Sequence, residues 1–406
     1  MEYREQLKYI KSHKIVEEQD QRRRSKKPIP QNKKRKRRQV ISRFDKGLWK
    51  VLFGASVLFM GTAMLLGVFP IIYLVIMVLM LLILLISVKL MQKRALRSSK
   101  RKAKGRGLAM ISVCLLLVFS FYMVKMNFAI SKISVGTDES VPVAQKAFHV
   151  YVSGIDVFGE LTTQSRSDVN LVATVNPNTH KILLTTTPRD YYVTIPGVSG
   201  KQKDKLTHAG VYGVETSVAT LEHLYGIDIP FYLRVNFTSV IEIVDALGGI
   251  DVESKIAFTT GKDSGVVMDI QEGVNHLNGK EALAFVRERK AFIDGDNQRG
   301  KNQQALMTAL IRKAFSPMII FQMSNVIDAI VGNAETNMTE NQIKSLIRIQ
   351  LEELKGWDIE SVAASGDDSG KQYCYSYSAA PLYVTVPDVV VVDEIKRKMM
   401  EAIEEN

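Results

Sequence analysis

Val169-Asn-Leu-Val-Ala-Thr-Val-Asn-Pro-Asn-Thr-His-Lys-Ile-Leu-Leu-Thr-Thr-Thr187 reads as two β-rich runs folded about an Asn-Pro turn. Val169–Val175 and Ile182–Thr187 are the arms of the hairpin, and Tyr191–Ile195 extends it beyond the interruption at Pro188. Upstream, Phe148–Ile155 alternates in part and supplies another strand. Downstream the period lengthens. Val214, Val218, Leu221 and Tyr225 share one helix face, with Gly226 as its stop. Ile229–Val235 returns to strand. Phe237, Val240, Ile241, Val244 and Leu247 then form a second helical stripe, opened by Thr238 or Ser239 and closed by Gly248-Gly249. Helices also fit Gly279–Val286, Asn297–Ala314 and Met318–Val331, and Thr339-x-x-Gln342 is a capping box that opens another. A last strand, Leu382–Val386, precedes a charged helix, Val391–Glu404. Strands alternating with helices predict an α/β domain of three layers, α/β/α, around a central mixed sheet.

Three apolar runs precede this domain: Leu48–Phe69, Ile71–Met91 and Leu108–Met126. Each has about 20 residues, enough to cross a hydrocarbon core as helix. Pro70 marks a tight reversal between the first two, and Lys50 and Lys125 sit where a long side chain can snorkel to the interface. Basic blocks at 22–38 and 93–106 belong in the cytoplasm by the positive-inside rule, so everything from about Asn127 onward is extracytoplasmic. The expected organisation is a basic cytoplasmic tail (1–47), a membrane region (48–127) with a basic cytoplasmic loop (92–106), a linker (128–147) and an extracytoplasmic domain (148–406). That is a multi-pass protein of the cell membrane. The tail, rich in Lys, Arg and Gln, reads as disordered and pressed on anionic lipid.

The net charge of +12 averages two unlike halves. Residues 1–47 carry roughly 17 Lys and Arg against about 6 acids, whereas 128–406 comes to about −10. The outer domain is therefore no nucleic-acid surface, which would need a basic face. Its single cysteine, Cys374, permits no internal disulfide, so its core must hold it. Walker, H-E-x-x-H and G-x-S-x-G motifs are absent, and the six histidines show no ligand spacing.

What the outer domain does carry is arginine beside aspartate: Asp156, Arg166-Ser-Asp168, Pro188-Arg-Asp190, Arg287-Glu-Arg289, and Asp296-Asn-Gln-Arg299 followed by Gln303. Arginine forks match phosphate oxygens in pairs, and aspartate offers hard oxygen to Mg²⁺. Asp156 and Asp168 flank strand ends, where α/β domains place ligands, although either alone also suits a turn or cap. Arg287 and Arg289 would face opposite ways on a regular helix, so they can meet one ligand only if the helix has ended between them. Arg299 and Gln303 are i, i+4 near a helix N-terminus, a favoured place for an anion, with Asp296 as its N-cap. Singly, each pair is a surface or structural salt bridge. Together, beside a membrane, they point to chemistry on a phosphorylated lipid.

At these residues the chain resembles the LytR–CpsA–Psr family of cell-wall glycopolymer ligases. The resemblance rests on Tyr151-Val-Ser-Gly-Ile-Asp156, Ser165-Arg-Ser-Asp-Val-Asn170, Leu184-Thr-Thr-Thr-Pro-Arg-Asp190, Asp204-Lys-Leu-Thr-His-Ala-Gly210, Asn236-Phe-Thr238, Leu247-Gly-Gly-Ile-Asp-Val252, Phe285-Val-Arg-Glu-Arg289 and Asp296-Asn-Gln-Arg-Gly-Lys-Asn-Gln303. The three-span layout with a basic tail resembles the capsule branch. The resemblance implies transfer of a polyprenyl-diphosphate-linked glycan, capsular polysaccharide or a related polymer, with one phosphate onto peptidoglycan and release of polyprenyl phosphate. It implies that Asp156 and Asp168 hold Mg²⁺ and that Arg166, Arg189, Arg287, Arg299 and Gln303 grip the diphosphate. Arg289 matches a second motif arginine, and Asp156, Asp168, Arg189, Arg287 and Arg289 are the expected catalytic set. The family's apolar lipid pocket would use the stripe Phe237–Leu247 as a wall, a stripe that equally suits a plain core face. Some capsule members carry an extra domain after the last span; here about 20 residues (129–148) fill that gap, too few for one. The rival reading is a membrane-tethered regulator whose basic tail binds promoter DNA or a capsule-assembly protein, but no recognition fold accompanies that charge.

Overall fold

The computed structural model describes residues 2–24, 43–95, 104–155, 164–293, 295–314, 319–353 and 355–405. Six strands form one sheet: β1 (Phe148–Ile155), β2 (Ser167–Asn176), β3 (Lys181–Thr186), β4 (Phe231–Asn236), β5 (Ala334–Thr336) and β6 (Asp358–Ala363). Their order is β5-β4-β1-β2-β3-β6. β1 runs parallel to β4 and β3 parallel to β6, while β2 is antiparallel to both neighbours, so the sheet is mixed. The hairpin closes where the sequence predicts. Asn176 Oδ1 accepts the backbone N–H of Asn178 (3.1 Å) and Thr179 (3.3 Å), an Asx turn, and His180 takes the left-handed φ of 57° that returns the chain. Asn176 Nδ2 donates to the carbonyls of Ala402 and Glu405, so the same side chain ties the turn to the C-terminal helix.

Two strand expectations need correction, and two strands were missed. Tyr192–Val193 leaves the main sheet and pairs with Asp204–Lys205, because Pro188 cannot donate to the ladder. Leu382 lies in a separate ribbon, Tyr377–Tyr383 against Lys371–Cys374. The edge strands β5 and β6 were not predicted at all.

Helices α1 (Glu2–Arg24), α2 (Arg43–Leu66), α3 (Ile71–Ala95) and α4 (Lys104–Ile133) precede the sheet. Within and after it come α5 (Leu206–Ala209), α6 (Val214–Tyr225), α7 (Phe237–Ala246), α8 (Gly279–Arg287), α9 (Gly295–Ala314), α10 (Ile319–Ile330), α11 (Glu340–Glu353) and α12 (Val389–Glu404). Strand alternation sorts the core. Tyr151, Val172 and Leu183 face α6 and α12, meeting Leu221, Tyr225, Ile395 and Met399. Val152, Leu171 and Leu184 face the other way, towards Met307 and Ile311 of α9. These are the three expected layers, and each fully buried aliphatic side chain contributes roughly 2 kcal/mol. Phe237, Val244 and Leu247 are buried too; Phe237 and Val244 join Ala282, Phe285 and Leu306 in a second core.

α2, α3 and α4 are long and apolar enough to cross a membrane. Asp45 at the head of α2 accepts Arg106 Nε (2.6 Å) and Nη2 (3.2 Å), and Leu52, Val88, Ala109 and Val113 pack between the helices. α4 runs on to Ile133, and Ser134 then bridges directly to Thr336 beside β5. Gly136 passes so close that a Cβ there would lie 1.6 Å from the Asn337 carbonyl. α11 seats on the α2–α3 turn through Ile343, Ile347 and Leu351 against Leu66, Val68 and Ile130. The tail is not structureless over 2–24: α1 is built from Glu, Lys, Gln and Arg, all good helix formers.

One core group makes the fold acid-sensitive. His149 in β1 is buried, with Nδ1 3.0 Å from Thr174 Oγ1 of β2, and burial pushes its pKa down to about 4. The folded protein keeps this ring neutral, while the unfolded chain protonates it below about 6.5. Its full contribution is therefore present above that value and is lost as pH falls towards 4, at a cost of about 3 kcal/mol. Thermal unfolding of the full chain in detergent is expected to show this slope between pH 7 and 4, and His149→Gln is expected to remove about that much of it.

Candidate active site

The β1–β2 ladder slips by one residue at its end. Gly154 pairs with Val169 but Ile155 pairs with Ser167, so Asp168 has no partner. Such a bulge re-aims its side chain, and here Asp168 comes out on a cavity wall. Gly154 makes the slip possible, since a Cβ there would meet Val169 Cγ2 at 2.7 Å. Arg189, directly after Thr187-Pro188, donates from Nη1 to Asp168 Oδ1 at 2.9 Å. Its Nε lies 3.5 Å from Oδ2 of buried Asp190, whose Oδ1 takes Lys205 Nζ at 2.7 Å. Burial alone would push the Asp190 carboxyl up; Lys205, then Arg189 and Arg299, outweigh it and hold it below the usual range. Asp190 is thus a support for cations, not a free acid.

α8 ends at Arg287, and Glu288 adopts an extended backbone (φ −63°, ψ 131°). The chain leaves the helix between the two arginines, and both line the cavity, as the spacing requires. Glu288 braces this corner. It is 1% exposed and accepts the N–H of Gly261 (2.6 Å), the hydroxyl of Ser264 (2.7 Å) and the N–H of Arg289 and Ala291 (both 3.0 Å). Burial would raise its pKa, and these donors hold it down instead. Arg287 lies over the Phe237 ring at 4.6 Å. The next loop folds back tightly: a Cβ on Gly295 would lie 2.5 Å from Arg289 Cγ. α9 starts at Gly295, one residue ahead of the expected N-cap, and it places Arg299 and Gln303 on the cavity. Asn302 Nδ2 fixes α9 to the end of α8 through the Phe285 carbonyl.

A cavity of about 220 Å³ results, on which Asp168, Arg189, Arg287, Arg289, Arg299 and Gln303 converge. Two expected members are not seen there. Asp156 lies outside the described residues, as do the side chains of Asp296 and Asn297. Arg166 lines a neighbouring cavity instead, with His208 and Tyr212. It precedes β2, and buried Ser167 and the bulge separate it from Asp168. Sequence reasoning missed Glu288 as a brace, although it stands in plain view between two arginines; of the stripe Phe237–Leu247 expected as a pocket wall, Phe237 lines this cavity.

A profile of the LytR_cpsA_psr family matches residues 120–384. The chain belongs to the LytR–CpsA–Psr family. It is 33% identical over 229 residues to the polyisoprenyl-teichoic acid–peptidoglycan teichoic acid transferase TagU of Bacillus anthracis, covering 56% of this chain and 73% of that one. It is 32% identical over 260 residues to the transferase TagT of Bacillus subtilis, covering 62% and 76%. Among solved structures it resembles B. subtilis TagV (TM-score 0.53, 26% identity, 64% and 99% of the two chains). It also resembles TagT bound to LIIa-WTA (TM-score 0.51, 29% identity, 66% and 96%).

The donor set in this LytR–CpsA–Psr domain suits a hard cation only in part by itself. Among the described residues no three His, Cys, Asp or Glu side chains gather around one point. Glu288 is consumed by its four donors, and Asp263 is paired with Lys290. Asp168 bonds Arg189 through Oδ1, which leaves Oδ2 for a metal. One or two carboxylates plus phosphate oxygens of a ligand is the coordination Mg²⁺ favours, so the residues fit a cation that arrives with a diphosphate.

Proposed function

We propose that this protein is a glycopolymer ligase that transfers a glycan and one phosphate from a polyprenyl diphosphate to a peptidoglycan hydroxyl, releasing polyprenyl phosphate. The observation that carries this reading is the convergence of Arg189, Arg287, Arg289 and Arg299 with Asp168 on one small cavity, in a domain that follows three helices long and apolar enough to cross a membrane. The activity for which its relatives are named, teichoic acid transfer to peptidoglycan, supports the same reaction type. The layout resemblance to the capsule branch favours capsular polysaccharide as the polymer, and the positive-inside rule favours an extracytoplasmic site.

Phosphoryl transfer asks mainly for positioning and charge neutralisation. Arg189, held between Asp168 and Asp190, and Arg299 beside Asp190 bind the diphosphate oxygens in fixed orientations. Arg287 and Arg289 line the same cavity from the end of α8. Together they offset the charge that grows on the departing polyprenyl phosphate as the acceptor oxygen bonds to the glycan-side phosphorus. Asp168, with Asp156, would hold Mg²⁺, which supplies further charge neutralisation when bound. Breaking the diphosphate supplies the driving force, so no nucleotide is needed outside the cell.

The test is reconstitution of the full chain with a polyprenyl-diphosphate glycan and peptidoglycan strands, following release of polyprenyl phosphate and labelled glycan joined to the strand. Turnover without joined product would overturn the ligase reading. Chelation by EDTA is expected to lower the rate by at least about 10²-fold, with Mg²⁺ restoring it. Full activity in EDTA would remove the metal from the proposal.

A further inference from the structure

A second cavity, of about 440 Å³, lies beside the first and has no part in the scheme above. Its size falls within the range of small-ligand sites. The two share a thin wall. The segment Ser165–Ser167 is pressed against the start of the turn Gly210–Tyr212, where a Cβ on Gly210 would lie 2.6 Å from the Ser165 carbonyl and 2.9 Å from Ser167 N. Arg166 on this wall faces the second cavity, and Asp168, two residues on, faces the first.

The second cavity is built rather than incidental. His208 lines it, and its Nδ1 lies 2.6 Å from Oδ1 of fully buried Asp204 and 2.7 Å from Ser376 Oγ. Ser376 N also donates to Asp204 Oδ2 at 2.9 Å. With Nδ1 engaged by Asp204 and Ser376, the ring keeps Nε2 to meet a hydroxyl. Around the mouth, Tyr212 and Tyr377 are 40% and 47% exposed, and Tyr375 beside them is 43% exposed. So many half-exposed rings next to a polar cavity mark a binding surface for something with flat apolar faces and polar edges. A pyranose ring has both, and Arg166 adds a fork for a carboxylate.

We propose that this cavity holds the acceptor, a carboxylate-bearing peptidoglycan glycan strand, with sugar faces on Tyr212 and Tyr377, a carboxylate on Arg166 and a hydroxyl on His208. The inference rests on the ligase reading for its choice of strand, and on the shared wall for bringing a second substrate beside the diphosphate. The donor's own glycan is the alternative occupant, and the test separates the two.

The probe is a soluble undecorated peptidoglycan tetrasaccharide with its stem peptides, offered to the full chain in detergent. Calorimetry without donor reads binding directly, and turnover reads a KM for each substrate. Tyr212→Ala/Tyr377→Ala is expected to weaken tetrasaccharide binding and raise the acceptor KM by at least about tenfold, while the donor KM stays within about twofold. Both rings are half exposed, so folding should be unaffected, and Tyr212→Phe/Tyr377→Phe should restore most of the binding. An unchanged acceptor KM, or no binding of the probe by the parent protein, overturns the proposal. A rise confined to the donor KM also overturns it and assigns the cavity to the donor glycan. If the parent protein binds the probe and the double variant does not, but neither releases polyprenyl phosphate, the site stands and the ligase reading fails.

Discussion

Arg189→Ala is expected to lower kcat/KM for glycan transfer by about 10³-fold or more, the scale on which single arginines act in phosphoryl transfer. The size follows from its position. Arg189 spans Asp168 and Asp190 and reaches the cavity between the sheet and α9. Loss of the guanidinium removes a fixed donor from the leaving phosphate and also frees Asp168 to swing. Stability should fall by only about 1–2 kcal/mol, because Asp190 keeps Lys205 and Asp168 is near solvent. Arg189→Lys keeps the charge but not the fork, and should recover only a small part of the rate. Release of polyprenyl phosphate by the purified full-chain variants, beside their unfolding temperatures, checks both halves. Transfer by Arg189→Ala within about tenfold of the parent would count against the assignment of this cavity.

Glu288→Ala is expected to damage both stability and activity. Four donors, two of them in the segment Gly261–Ser264 and two in its own turn, lose their acceptor together. Leaving buried donors unmet costs about 1–3 kcal/mol apiece at most, and water can enter to meet some, so a total near 3–5 kcal/mol is expected. The corner that directs Arg287 and Arg289 to one side would loosen, and transfer should fall by about 10²-fold even below the unfolding temperature. Glu288→Gln keeps the shape and accepts through one oxygen only, so it should lie between the two. Calorimetric unfolding and the transfer assay separate this pattern from that of Arg189→Ala, which spares the fold. An unfolding temperature for Glu288→Ala equal to the parent's would refute the brace.

The sequence made the hairpin visible because its signal is local. Asn176 and its Pro neighbour create the turn by a side chain bonding its own backbone, with no distant help. The end of α8 was visible for a negative reason, since a regular helix cannot aim Arg287 and Arg289 alike. β6 escaped because Asp358-Ile-Glu-Ser-Val-Ala has too few apolar residues to stand out, and parallel pairing with β3 alone makes it a strand. The bulge at Asp168 depends on the register of a different strand, which no property of Asp168 encodes. That same register turned Arg166 to a separate cavity, against the expectation that adjacent motif residues serve one ligand. Glu288 shows the complementary blindness: its two flanking arginines drew attention to charge, whereas its work is done on backbone N–H groups from another segment.

The unbroken passage from α4 through Ser134 into the strand pairing at Thr336, with no room at Gly136 for even a methyl group, leaves no joint below the head. A head mounted in this way cannot be reeled in or out like one on a leash. With the three apolar helices set in a bilayer, the proposed ligase would work at a built-in height above the lipid surface, and the wall strands within its reach would be those passing at that height. Splicing a supple spacer between 133 and 137 would trade this set stand-off for a wandering one, and attachment sites should then spread deeper into the wall.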